Sequence, residues 1–259
     1  MKQFIILTLL FWVGSSNAQT ADELNKRSLE LLQQGEMEAA IPILQQAADA
    51  GHAEAQFNLG YCYYAGIAVE QNYEKAIELI SKSADRGFNE AIFQMMINYA
   101  SGNGVEQDYD KAFEFALKCA ANDDETCIWN VINCYYDGIG VARDVNQVMI
   151  WSIRLAKMEN PDNAVKREHI TSSRFQLAYM YKEGTDIEQD LYKSYQWFLV
   201  YNESKSDFPS EQQEHVIQDI EALEEQLTVD QLALAAKEAE KILGRPLKNL
   251  DHLYQVEKK

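Results

Sequence analysis

Four cysteines (Cys62, Cys119, Cys127, Cys134), four histidines (His52, His169, His215, His252) and the acidic run Asp123-Asp124-Glu125 are the residues whose types could do chemistry. Structural zinc needs thiolates and imidazoles at short, fixed spacings such as C-x-x-C. No C-x-x-C occurs and the histidines are scattered, so no metal is expected. Acyl transfer needs an activated serine, and neither S-x-x-K nor G-x-S-x-G is present. G-N-G-V at Gly102 and G-I-G-V at Gly138 lack the remaining glycine and the Lys-Ser/Thr ending of a phosphate loop, and read as turns. The acidic run offers paired carboxylates, but it stands where a helix should begin, a place that favours negative charge anyway. No catalytic residue and no cofactor are expected.

Composition sets the elements that must carry these residues. Of 259 residues, 47% are hydrophobic, ordinary globular content, while only 4 prolines and 12 glycines interrupt a helix-favouring remainder. An all-α fold is expected. With 23 basic against 41 acidic residues the formal charge is -18, which repels nucleic acid and anionic membrane surfaces. Lys2, the apolar run Phe4 to Val13 and the small-residue stretch to Ala18 read as a signal peptide over residues 1–18. The run is far short of the roughly 20 residues of a membrane span, so an exported chain without membrane insertion is expected, periplasmic or secreted.

The remainder repeats itself. LGYCYYAGIAVEQNYEKA begins at Leu59, MMINYASGNGVEQDYDKA at Met95, VINCYYDGIGVARDVNQV at Val131 and LAYMYKEGTDIEQDLYKS at Leu177. The copies divide into about 52–87, 88–123, 124–158 and 172–203, with an insertion at 159–171 that is either a contact loop or a surface excursion. A degenerate first copy is expected over 19–51 and capping helices over 204–259. In helix A of each copy, Leu59 with Tyr63, Tyr99, Tyr135 and Tyr181 lie on one core stripe, with Gly60 beside it. Gly66, Gly102, Gly138 and Gly184 end that helix, and Asn72, Asp108, Asp144 and Asp190 cap the start of helix B. Ser210 to Gln213 and Thr228 to Gln231 each predict a capping box, and Glu221, Glu224 and Glu225 the solvated face of the cap.

This pattern resembles the Sel-one-like repeat (SLR) family, relatives of the tetratricopeptide repeat, through Ala55, Leu59, Gly60, Tyr63, Gly66, Val69, Lys75 and Ala76. The resemblance implies an α-solenoid of paired antiparallel helices whose concave face binds another protein, as a scaffold or adaptor. Two other roles are an inhibitor or immunity protein that occludes a secreted toxin, and a β-lactam-binding hydrolase of the kind associated with cysteine-rich relatives. The sequence favours a chain that is not an enzyme and whose partner is basic; it leaves the oligomeric state open.

The stripe one step off the core supplies the candidate contacts: Asn58, Cys62 and Ala65, then Gln94, Asn98 and Ser101, then Asn130, Cys134 and Asp137, then Gln176, Met180 and Glu183, with Asn133 and the flanking Tyr61 and Tyr179. Its amides form a ladder able to hydrogen-bond an extended peptide; equally, they are half-exposed helix positions or inter-helix hydrogen bonds. Cys119, near the end of one helix B, and Cys127, early in the next helix A, are brought together by an antiparallel turn, which predicts a disulfide. Cysteine-rich relatives have a similar C-x7-C bridge, one residue later in the repeat. Cys62 and Cys134 are expected to be unpaired thiols, buried or lining the groove.

Overall fold

In the computed structural model, residues 20–257 are described; the leader expected over 1–18 lies outside them. Among the described residues there are twelve α-helices, paired as repeats, and no strand. They fall into two compact units, 1–88 and 89–259.

The first unit holds α1 (Ala21–Gln33), α2 (Met37–Asp49), α3 (Ala53–Ala65) and α4 (Tyr73–Asp85). The α1/α2 pair occupies the stretch read as a degenerate copy. Thr20 and Glu23 form a capping box at the start of α1. Leu44, Ala47, Ala48, Ala55, Leu59 and Leu79 make the core, with Tyr63 and Val69 against it. Gly60 is required by a close approach: a Cβ there would stand 2.8 Å from Ile80 Cγ1 and 3.1 Å from the Ala76 carbonyl.

The second unit holds α5 (Asn89–Ser101), α6 (Tyr109–Ala120), α7 (Glu125–Asp137), α8 (Val145–Ala156), α9 (Ala164–Glu183), α10 (Leu191–Asn202), α11 (Ser210–Glu224) and α12 (Val229–Leu243). Its main core gathers Leu177, Trp197, Phe198 and Tyr201 with Val216, Ile220 and Leu223 of α11 and Ala235 and Ala239 of α12.

Each repeat closes its loop in the same way. Asn72, Asp108, Asp144 and Asp190 cap helix B with side-chain oxygens, while their own N–H groups donate to the carbonyls of Tyr63, Tyr99, Tyr135 and Tyr181 at 2.9 to 3.1 Å. Gly66, Gly102, Gly138 and Gly184, all with φ between 64° and 73°, end helix A. Gln71, Gln107 and Gln189 add a tether that the sequence reading did not identify, donating seven residues back to the carbonyls of Tyr64, Ala100 and Lys182. In the third copy Arg143 stands there and pairs instead with Asp186 at 2.9 Å.

Three expectations are corrected. The insertion is mostly helix: after Asn163 caps Lys166 N–H, α9 runs unbroken for 20 residues, so the added residues prolong helix A at its N-terminus. Ser210 to Gln213 form no capping box. The Gln213 amide is buried and exchanges hydrogen bonds with the Glu257 backbone, and so holds the C-terminal tail. Glu224 is not simply solvated, because it accepts the hydroxyls of Tyr195 and Tyr254. The capping box at Thr228 and Gln231 is present.

Candidate protein-binding groove

Helix A of the third copy, α7, and helix A of the fourth, α9, border a groove of about 280 Å³. Ile132, Asn133 and Tyr136 line it from α7, and Phe175, Gln176, Tyr179, Met180 and Glu183 from α9. The spacing 176, 179, 180 and 183 puts these side chains on one helical face. The wall is therefore aromatic and aliphatic, with amides at Asn133 and Gln176 and a carboxylate at Glu183. Asp186, at the groove's end, is engaged by Arg143.

The wall is anchored from behind. Tyr179 donates its hydroxyl hydrogen to Asp219 of α11 at 2.6 Å, and Lys182 donates to the same carboxylate. Burial and that carboxylate push the Tyr179 phenol far above its ordinary pKa, so it is neutral and a donor at every physiological pH. His215 stacks on its ring with centroids 6.4 Å apart. Phe175 packs against Tyr179, Tyr201 and Phe208.

The groove brings together only part of the expected contact stripe. Asn133, Gln176, Tyr179, Met180 and Glu183 meet in it, while Tyr136 and Phe175, which the sequence reading did not single out, complete its wall. Asn58 and Tyr61 belong to the first unit, Asn58 half-buried and Tyr61 exposed. Cys62 is buried in that unit's core, where desolvation raises its thiol pKa. Asn98 is 0% exposed and accepts a hydrogen bond from Gln94 at 2.9 Å, so these two amides pair with each other. Neither Cys62 nor Asn98 presents a surface to a partner. Asn130 is half-buried, its amide nitrogen 3.8 Å from Met96 Sδ. Cys134 is half-buried, its thiol pKa raised by burial and then by Asp137.

Cys119 and Cys127 are joined by a disulfide, with Cα atoms 5.6 Å apart. Asp124 lies beside them, but two sulfurs bonded to each other offer no thiolate to a metal. The acidic run is consumed by ion pairs: Asp123 with Arg154 at 2.6 Å, Asp124 and Glu125 with Lys166 at 2.9 and 2.8 Å.

The Sel1 repeat profile matches four segments, 53–88, 93–124, 133–160 and 171–199. The chain belongs to the Sel1 repeat family. A Sel1 repeat protein from Oxalobacter formigenes has 22% identity and a TM-score of 0.59, over 83% of this chain and 84% of that one. Two further solved structures are more distant. c5321, a protective antigen with an SLR fold from uropathogenic Escherichia coli strains, has 20% identity and a TM-score of 0.41, over 90% of this chain and 57% of that one. Immunity protein Pa5087 from Pseudomonas aeruginosa has 15% identity and a TM-score of 0.36, over 90% and 86%. No curated protein matches the sequence. Within the Sel1 frame, the groove borders belong to the third and fourth matched repeats, and the helix-prolonging insertion falls between those two repeats.

Proposed function

We propose that this chain is an exported, non-catalytic Sel1 repeat adaptor that binds a basic protein partner through the groove between α7 and α9. The observation that carries the reading is the groove's wall, where Tyr136, Phe175, Tyr179 and Met180 surround the amides Asn133 and Gln176 and the exposed Glu183. Aromatic side chains and Met supply large contact areas at low ordering cost, as they do at interface hot spots. A partner segment with one apolar side chain beside a Lys or Arg suits that wall, and a chain charge of -18 steers it inward. Export rests on the leader-like first eighteen residues and suits a chain with a disulfide.

The test is capture on the immobilised chain from Gln19 to Lys259, from envelope and culture-supernatant fractions over a salt series, with Met180→Ala and Glu183→Gln alongside. One stoichiometric partner is expected, weakened by salt and roughly tenfold by Met180→Ala. A partner that is itself a secreted toxin would make the chain an inhibitor rather than an adaptor. Equal binding by both variants would sink the groove, no partner at any salt would sink the binding role, and nitrocefin turnover by pure protein would overturn the non-catalytic reading.

A further inference from the structure

A second cavity, about 270 Å³, opens where the end of α8, the insertion and the end of α12 meet. It is lined by Lys157, Asn160, Arg174 and Arg245, with Glu159 the one carboxylate on its wall. Arg174 is 1% exposed. Its guanidinium donates to the carbonyls of Ala156 and Met158, to Asn160 Oδ1 and to Ser204 Oγ, all neutral acceptors, at 2.9 to 3.1 Å. A guanidinium has five N–H groups, so one is left over.

Buried charge is ordinarily met by an opposite charge, because desolvation without one is costly. Here the neighbouring carboxylates are already taken. Glu203 accepts Arg245 at 2.5 Å and the N–H groups of Lys248 and Asn249. Asp207 accepts Arg167 at 2.7 Å and the Thr171 hydroxyl at 3.0 Å. Among the described residues, no carboxylate comes within ion-pair distance of Arg174. Arg245 engages only one of its nitrogens, leaving one whole side of its fork without an acceptor. Burial, and then the adjoining Arg245, pull the Arg174 pKa down to about 10, which leaves Arg174 cationic at neutral pH. Glu203 and Asp207 thus offset part of the charge on Arg174 from a distance, while their oxygens are engaged by other donors and Arg174, Arg245 and Lys157 gather at one cavity.

We propose that this cavity is an oxyanion site, taking one carboxylate or phosphate group between Arg174, Arg245 and Lys157. The free side of the Arg245 fork matches the paired oxygens of such a group, Arg174 adds its one remaining N–H, and Lys157, exposed at the rim, adds a third charge. The site is separate from the α7/α9 groove, so its fate does not depend on the protein-binding reading.

The test titrates the whole chain with inorganic phosphate and, separately, with acetate, ionic strength being held constant with sodium chloride. Thermal midpoint and the Arg Nε–H resonances are read together. Phosphate or acetate should raise the midpoint and shift the Arg174 resonance where chloride does neither. Lys157→Gln, a rim variant that leaves the buried network intact, and Arg245→Gln should each weaken the apparent affinity roughly fivefold or more. A response to phosphate alone, to acetate alone or to both supports the site and names its ligand. Responses no larger than that to chloride, or unchanged in both variants, would overturn it.

Discussion

Tyr179 and Asp219, forty residues apart, are joined by a hydrogen bond of 2.6 Å that fixes α11 against α9. Lys182 donates to the same carboxylate one turn further along α9, and His215 Nε2 lies 3.9 Å from it. One aspartate thus fastens the capping helix and the rear of the groove wall together.

Replacing Asp219 by Ala strips a neutral phenol and an ammonium of their shared acceptor. Hydrogen bonds to charged groups contribute about 1.5 to 3 kcal/mol, so Asp219→Ala should cost about 2 to 3 kcal/mol and Tyr179→Phe about half of that. Urea unfolding of the three proteins checks this. Midpoints that coincide would mean the pair contributes nothing to stability.

The disulfide between Cys119 and Cys127 closes a loop of nine residues counted inclusively, so the chain-entropy relation assigns it roughly 2.5 kcal/mol. Reduction, or Cys119→Ser with Cys127→Ser, should lower the thermal midpoint while leaving helical circular dichroism at room temperature unchanged. Cys62 is buried and both free thiols are pushed up in pKa, so at neutral pH neither should react quickly with a thiol reagent before unfolding. A midpoint indifferent to reductant would remove the disulfide from the stability account.

The parts of this architecture that could be read from sequence are those in which a residue does its work within its own repeat. Asn72, Asp108, Asp144 and Asp190 cap helices three residues away, and the terminal glycines adopt positive φ in place. Gln213 misled because its partner, Glu257, is 44 residues distant while the local spacing imitates a capping box. Asn98 and Cys134 share one repeat position, yet the first is fully buried against Gln94 and the second half-buried, because the local environments differ. Arg174 gave no signal at all: an arginine on a polar-looking stretch of α9 turns inward only because Ala156, Met158, Asn160 and Ser204 converge on it. Two aromatic residues of the groove wall, Tyr136 and Phe175, lay one helical step from the stripe the sequence marked.

Gly60 tests how closely helix A and helix B approach in the first unit. Ala in place of a mid-helix Gly ordinarily gains up to about 1 kcal/mol. Here the added carbon meets Ile80 Cγ1 at 2.8 Å and the Ala76 carbonyl at 3.1 Å, and a carbonyl of the helix backbone cannot step aside. Overpacking of this kind costs about 1 to 3 kcal/mol, so Gly60→Ala should be net destabilising. Met96→Ala at the corresponding position, by contrast, deletes buried side-chain atoms and should cost about 2 kcal/mol or more by leaving a cavity. A stabilised Gly60→Ala variant would show that the two helices can separate freely.

Alkaline pH should loosen the C-terminal cap before the rest of the second unit. Tyr192 donates to Glu238 at 2.8 Å, and Tyr195 and Tyr254 both donate to Glu224. Burial, and then those carboxylates, raise all three phenols above 10, with Tyr192 and Tyr254 pushed up to about 12. A phenol whose folded pKa lies above its unfolded value stabilises the fold fully below the unfolded pKa. That contribution is lost as pH rises from 10 through 12. Urea midpoints should therefore stay flat on approaching pH 10 and then fall, with the Tyr192, Tyr195 and Tyr254 phenols ionising late and together with loss of α12 packing. Glu224→Gln keeps an acceptor but removes the charge, so it should bring the Tyr195 and Tyr254 titrations down towards 10 and leave Tyr192 where it is. Unshifted titrations in that variant would mean that burial alone, not the carboxylate, holds these phenols neutral.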